Sequence, residues 1–327
     1  MTTVTDLPLA PDQPWLAPLA GYSDLPFRLL CREQGFSVAC TEMVSAKGLY
    51  YSSSSTMELL RSCPQDKPLV VQLYGSDPRI ISQAMDKLIH LGHRYFDLNC
   101  GCAVKKVIKT GAGAALLETP ELLLEIVSVM VKKAGPGRVG IKMRLGWSRE
   151  QSVYLDLAKP LAAAGIGWIT LHPRTARQHF SGTADWQALK QLKAISFVPV
   201  VASGDLFTAE DAQECVQRTG VDGVMFARGA LRDPAIARRY LNLLHNRENL
   251  PHTPESIYNL ARRALFMYRN HGASARTVLK LRTIMPKIIQ GLPRAKELRR
   301  RLVACKDYSE MEQILESISK NRSGDER

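Results

Sequence analysis

The chain has 327 residues, of which 45% are hydrophobic and 23% are charged, as expected for a globular protein with a sizeable core. No run of eighteen apolar residues predicts a membrane span, and residues 1–14 lack the basic start and apolar stretch of a secretory signal. The formal net charge is +13, and residues 238–327 hold 19 of the 44 Lys and Arg but only 9 of the 31 Asp and Glu. This basic tail indicates either a polyanionic partner, most simply nucleic acid, or a solvated helical face.

The seven cysteines are scattered, and their odd number fits no disulfide framework. We therefore expect reduced thiols and a cytoplasmic protein. Cys100 and Cys102 are separated by one residue, not by the two of zinc and thioredoxin motifs, and no second pair accompanies them. No metal site is predicted.

Eight short apolar runs alternate with helical segments over about 230 residues. In chain order, the predicted strands are residues 14–17, 37–41, 68–74, 95–98, 139–144, 168–172, 198–202 and 222–227. Predicted helices include residues 24–34 and 149–164, and others begin at Asp77-Pro78, Thr119-Pro120 and Thr208. The strands are almost continuously apolar, which is typical of strands buried on both faces.

This alternation predicts an α/β fold, a (β/α)8 TIM barrel, with an open doubly wound sheet as the alternative. The open sheet would need a G-x-G-x-x-G turn after its first strand, and the sequence has none. Gly111-Ala112-Gly113 lacks the third glycine and is interpreted as a flexible loop. From about Pro254 apolar residues recur at helical spacing without strands, so we predict a barrel domain at 1–250 and an all-helical domain of two to four helices at 251–327.

Polar residues follow the predicted strands at one end, and in a barrel these strand ends converge on one mouth. They include Gln72, Asn99, Cys102, Lys142, Arg144, His172, Arg174, the Ser203-Gly204-Asp205 turn and Ala227-Arg228-Gly229. The small residues after the seventh and eighth strands, with Arg228, predict a phosphate site. Lys142 could hold a negative charge on the ligand or pair with Asp97 or Glu42. A thiol is mostly protonated at neutral pH, so Cys102 can serve as an acid as well as a nucleophile.

Several motifs in this order resemble those of the dihydrouridine synthases, flavoproteins that reduce uridine in RNA. They are Ala17-Pro18-Leu19-Ala20-Gly21, Glu42-Met43-Val44-Ser45, Gln72-Leu73-Tyr74-Gly75, Asn99-Cys100-Gly101-Cys102, Lys142-Met143-Arg144, His172-Pro173-Arg174-Thr175, the Phe180 to Trp186 stretch and Ser203-Gly204-Asp205. The tail is similar to the helical RNA-binding domain of the bacterial B-type enzymes. The chain departs from the family pattern at Leu19, Ala103, Ser203 and Ala227, none of which removes a reacting group.

The resemblance implies a tightly bound FMN and NADPH as a transient reductant, and tRNA is the substrate that we favour. We expect a monomer, because a barrel with a helical appendage can work alone. Flavin N5 would give hydride to uracil C6, and Cys102 would give a proton to C5. The implied cofactor-binding residues are Pro18, Leu19, Ala20, Gln72, Lys142 and His172 around the ring, and Ser203, Gly204, Asp205, Ala227 and Arg228 at the phosphate. Asn99 and Arg144 would hold the uracil edge.

Three alternatives remain open from the sequence. The same reaction could act on ribosomal RNA, since the charge of the tail does not select one RNA. An FMN barrel oxidoreductase for a small molecule would not need the basic tail, whereas an RNA-binding protein without activity would not need Cys102, Asn99, Lys142 and His172.

Overall fold

The computed structural model of the chain describes residues 5–248, 251–272 and 277–320. Its strands all run parallel. They are β1 (Trp15–Leu16), β2 (Val38–Cys40), β3 (Val44–Ser45), β4 (Leu69–Tyr74), β5 (Tyr95–Cys100), β6 (Val139–Arg144), β7 (Trp168–His172), β8 (Val200–Ala202) and β9 (Gly223–Phe226).

The sheet closes on itself. In β1, Trp15 is in register with Val38 of β2 on one side and with Met225 of β9 on the other. Strands β2 and β3 share one position in the ring, because β2 pairs with the start of β4 and β3 with its end. The ring therefore has eight positions, which confirms the predicted TIM barrel and excludes the open sheet.

Helices follow the strands around the barrel. They are α1 (Leu25–Glu33), α2 (Ala46–Tyr50), α3 (Ser54–Glu58), α4 (Pro78–His90), α5 (Lys105–Ile108), α6 (Pro120–Ala134), α7 (Tyr154–Ala163), α8 (Trp186–Ile195), α9 (Ala209–Thr219), α10 (Arg228–Arg232) and α11 (Ile236–Leu244). Several begin where the sequence offers a cap. The Asp77 carboxylate accepts from the backbone N–H groups of Arg79 and Ile80, and Thr208 and Asp211 form a capping box.

Large side chains fill the barrel interior at the end where the strands begin. Trp15 and Trp168 meet edge to face with ring centroids 5.5 Å apart, and both are fully buried. Gly140 makes room for this layer, since a Cβ there would lie 2.0 Å from the Trp168 ring. This end of the interior is therefore closed by packed side chains. The polar side chains lie toward the opposite end, where the strands finish, which we call the mouth of the barrel.

Four helices follow the barrel: α12 (Pro254–His271), α13 (Thr277–Ile288), α14 (Ala295–Ala304) and α15 (Tyr308–Lys320). This confirms a helical C-terminal region. The boundary at 250/251 stays a prediction, and residues 249–250 lie outside the described residues. Apolar side chains of α12 to α15 join the same core as those of the barrel helices. Within the described part of the chain, no helix is both long and apolar enough to cross a membrane.

Three local predictions need correction. Gly113 begins a 3-10 helix (Gly113–Glu118) that packs against the Cys102 backbone, and only Gly111 and Ala112 lie in the predicted loop. Strand β5 continues to Cys100, since Asn99 and Cys100 pair with β6. Helix α7 begins at Tyr154, not at residue 149, because the preceding segment turns back to place the Val153 N–H on the Leu145 carbonyl.

Candidate active site

A cavity of about 290 Å³ opens at the mouth of the barrel. Its lining contains every site residue predicted from the sequence: Pro18, Leu19, Ala20, Gln72, Asn99, Cys102, Lys142, Arg144, His172, Ser203, Gly204, Asp205, Ala227 and Arg228. These residues come from the ends of seven of the eight ring positions, and closure of the barrel brings them together. The cavity is therefore the candidate active site, and the individual roles of these residues stay predictions.

Cys102 lies in a loop that is held by hydrogen bonds to its backbone. Its backbone N–H donates to Asn99 Oδ1 at 3.0 Å, and its carbonyl accepts from the Ala114 N–H at 2.9 Å. Gly113 allows the 3-10 helix to come this close, because a Cβ there would lie 2.5 Å from the Cys102 carbonyl oxygen. Arg144 Nε donates to the Gly101 carbonyl at 2.8 Å. The thiol is thus carried on backbone that is fixed from three directions.

Lys142 rises from β6 into the cavity. Its ammonium makes no hydrogen bond or ion pair with another described residue, so the alternative of a pair with Asp97 or Glu42 is not realised. Burial lowers the pKa of Lys142 to about 8, an effect that Arg144 increases and Asp97 opposes. The Asp97 carboxyl below it has its pKa raised to about 7, mainly by burial.

The loops after β8 and β9 form one side of the cavity. Asp205 receives two hydrogen bonds from Arg174, at 2.9 and 2.6 Å, and one from Arg228 at 3.0 Å. Gly204 has φ +138, and a Cβ there would lie 2.9 Å from the His172 ring. The turn at Gly204 thus brings its backbone close to the cavity. The Arg174 and Arg228 guanidinium groups lie beside it and share the Asp205 carboxylate.

Cations dominate the electrostatics of the cavity. Burial lowers the pKa of His172, and Lys142, Arg144, Arg174 and Arg228 lower it further, so its imidazole is neutral at pH 7. Arg144 has its pKa lowered to about 10 by burial and stays charged. An anionic ligand suits such a cavity.

The sequence reasoning missed several lining residues, among them Met43, His179, Phe180 and Phe207. The Arg228 guanidinium lies over both the Phe180 and Phe207 rings, 4.7 and 4.8 Å from their centroids. Met43 and Phe180 belong to motifs that the sequence already singled out, so these two could have been included. Phe207 carries no such signal.

Comparison with known proteins agrees with this geometry. The family profile described as Dihydrouridine synthase (Dus) matches residues 15–323. This chain belongs to the dihydrouridine synthase family. The match covers the barrel and the helical region together, and the prediction of a flavin-dependent oxidoreductase is confirmed at the level of that family.

Relatives in this family include bacterial proteins. A tRNA-dihydrouridine synthase B of Pseudomonas aeruginosa is 35% identical over 245 residues, which cover 75% of this chain and 73% of the relative. A probable tRNA-dihydrouridine synthase of Aquifex aeolicus is 30% identical over 304 residues, 92% of this chain and 94% of the relative. Among solved structures, morphinone reductase has a TM-score of 0.53 at 10% identity, covering 78% of this chain and 93% of that one, and so shares the barrel fold.

Proposed function

We propose that this protein reduces specific uridines of tRNA to 5,6-dihydrouridine, with FMN bound in the mouth of the barrel and NADPH as the reductant. The observation that carries the proposal is the single cavity that joins Cys102 to all the residues expected around a flavin and a uracil. The relatives named tRNA-dihydrouridine synthases support tRNA over ribosomal RNA as the substrate. All seven cysteines are free, as suits action in the cytoplasm, and we expect a monomer.

The residues present fit a flavin mononucleotide. The unpaired Lys142 ammonium offers a cation to an electron-rich ring edge, and Pro18, Leu19, Ala20, Gln72 and the neutral His172 would bound that ring. Because Gly204 has no side chain, the backbone of Ser203, Gly204 and Asp205 can approach a phosphate. Ala227 and Arg228 follow the neighbouring strand β9, and Arg228 contacts this turn through Asp205. When bound, FMN would supply the hydride that is added to C6 of the uracil ring.

The contacts of Asp205 refine its predicted role. Its carboxylate is occupied by Arg174 and Arg228, and a carboxylate repels a phosphate. We infer that Asp205 contributes backbone to the phosphate site, while its side chain holds Arg228 in place. Arg228 would then be the group that contacts the phosphate directly.

Cys102 would complete the reduction. Hydride addition at C6 leaves negative charge shared between C5 and the C4 carbonyl, and the Sγ–H bond would break to deliver a proton to C5. Arg144 uses Nε and Nη1 on the carbonyls of Gly101, Thr175 and His179. Its Nη2 makes no hydrogen bond with a described residue, so it can bind a uracil carbonyl. The second amide N–H of Asn99 makes only a long contact with Met43 Sδ, at 3.9 Å, and would exchange it for the same uracil edge.

The test is in vitro turnover of unmodified tRNA by the holoprotein with NADPH, with dihydrouridine mapped nucleotide by nucleotide. We expect one or a few tRNA positions to be reduced. Cys102→Ala should retain flavin and its reduction by NADPH but lose about 100-fold or more of turnover, as is typical when a general acid is removed.

Cys63→Ala is the matched control, because this thiol is also partly exposed but lines a different surface pocket. Turnover equal to that of the native protein in Cys102→Ala would remove Cys102 from the mechanism. Reduction of ribosomal RNA and not of tRNA would show that ribosomal RNA is the substrate. A purified protein that cannot bind FMN would refute the proposal.

A further inference from the structure

A chain of buried hydrogen bonds leads from the barrel interior to the Cys102 loop. Gln72 Nε2 donates to the Asp97 carboxylate at 2.7 Å, and Asn99 Nδ2 donates to Gln72 Oε1 at 2.8 Å. Asn99 Oδ1 then accepts from the backbone N–H groups of Gly101 and Cys102, at 3.2 and 3.0 Å. Asp97 is 3% exposed, Gln72 1% and Asn99 8%, so water offers these groups little alternative bonding.

The direction of this chain is fixed at both ends. Burial raises the pKa of Asp97, whereas the Gln72 hydrogen bond and the nearby Lys142 charge both lower it and so favour the ionised form, which only accepts hydrogen bonds. Gln72 therefore turns its NH2 group toward Asp97 and its oxygen toward Asn99. At the other end, the backbone N–H groups of Gly101 and Cys102 only donate, so Asn99 must present its oxygen to them. The two requirements agree, and each amide has one orientation in which every bond is made.

Removal of the Asp97 carboxylate would take away the acceptor that holds the NH2 group of Gln72. Gln72 could then rotate its amide by 180°, which would face its NH2 group toward the NH2 group of Asn99. Asn99 would lose its partner and with it the orientation that holds the Cys102 N–H. Asp97 has no place in the proposed chemistry, and in the described structure Gln72 is its hydrogen-bond partner.

We propose that Asp97 is a positioning residue for Cys102, acting through Gln72 and Asn99 to hold the thiol where it meets the substrate. The inference rests on the proposed function for its catalytic consequence, but the chain of contacts is independent of it. Asp97→Leu removes the acceptor and keeps the branching and the number of heavy atoms of the side chain. Asp97→Asn can still present an oxygen to Gln72 and should restore the chain.

The experiment compares holoprotein variants by two kinds of measurement. The first separates flavin reduction by NADPH from uridine reduction in single turnover. We expect Asp97→Leu to slow uridine reduction by about 10-fold or more, because small misplacements of a reacting group are costly, while flavin reduction stays near that of the native protein. The second is the rate at which iodoacetamide alkylates Cys102, followed by peptide mapping. This rate should rise in Asp97→Leu, because the released loop exposes the thiol.

Asp97→Asn should stay close to the native protein in both measurements. Thr170→Val is the control, since Thr170 is buried inside the same barrel and lies outside the chain of contacts, and its hydroxyl has no hydrogen-bond partner among the described residues. If Asp97→Leu does not fold, Asp97→Ala makes the same test.

The proposal is overturned if the alkylation rate in Asp97→Leu is unchanged. It is also overturned if both half-reactions slow equally, or if Asp97→Asn is as impaired as Asp97→Leu. A native protein that forms no dihydrouridine would refute the proposed function, and the alkylation rates would still decide the role of Asp97.

Discussion

Gly204 shows how closely single residues at the phosphate side of the cavity are constrained. Its φ of +138 is rarely adopted by other residues, and an added Cβ would approach His172 and Pro173 at 2.9 and 3.2 Å. Both neighbours lie directly after or at the end of β7 and are buried, so neither can move freely. A side chain at this position must therefore displace the turn that faces the ligand.

We predict that Gly204→Ala loses most of its bound flavin and lowers the free energy of unfolding by about 1–3 kcal/mol, the range for strained backbone. Flavin content per protein and urea unfolding are the measurements. Gly220→Ala is the control, because Gly220 also has positive φ (+69) but has open space around it and ends α9, away from the cavity. Full flavin content in Gly204→Ala would contradict the role assigned to this turn.

At the scale of elements, α13 is tied to the loops of the barrel mouth. Lys280 on α13 pairs with Asp24 at 2.9 Å and with Glu42 at 3.2 Å. Glu42 also accepts the Gly21 N–H, and Asp24 accepts the Tyr268 hydroxyl at 2.8 Å. The helical region thus holds the segment that directly follows Pro18, Leu19 and Ala20 of the cavity.

Lys280→Met should lower the free energy of unfolding by about 1 kcal/mol, because two partly buried carboxylates lose their shared cation while the site stays partly solvated. The same variant should weaken flavin retention through the Gly21 segment. Urea unfolding and flavin release rates are the measurements. Lys296→Met, at an exposed lysine on α14, provides the comparison, and equal behaviour of the two variants would show that the Lys280 pairs contribute nothing measurable.

At the scale of the whole molecule, the positive charge is concentrated on the helical region. Arg299, Arg300 and Arg301 are exposed in succession on α14 and form no ion pair with another described residue. An exposed cluster of this kind can bind phosphates of an RNA backbone without affecting chemistry in the barrel. RNA binding and flavin reduction should therefore be separable.

Replacement of these three arginines by Glu should weaken tRNA binding. The logarithm of the binding constant should also fall less steeply with the logarithm of the salt concentration, the slope being shallower by up to about 3, close to one unit per lost phosphate contact. Reduction of the flavin by NADPH should persist. Reversal of Lys132, Lys159 and Lys190, which are exposed on barrel helices, changes the net charge equally and controls for long-range effects. Equal loss of binding in both triple variants would show that total charge matters and the α14 cluster does not.

The barrel and many of the polar residues that line its cavity could be predicted from the sequence alone. Strands buried on both faces must be continuously apolar, so their positions are visible as runs, and a polar residue such as Lys142 or His172 at a strand end stands out against them. Gly204 and Arg228 were found for the same reason. Local caps likewise revealed where α4 and α9 begin.

Which polar groups meet becomes visible only in the folded molecule. Asp97 and Gln72 are 25 positions apart in the sequence, and Lys280 and Glu42 are 238 apart. No local pattern encodes such pairs, because they depend on the register of neighbouring strands and on the packing of α13 against the mouth. The 3-10 helix that begins at Gly113 was missed for the same reason, since the position of Gly113 depends on its packing against Cys102. Strand positions are a property of local pattern, whereas the orientation of Cys102 depends on contacts that exist only after the barrel has closed.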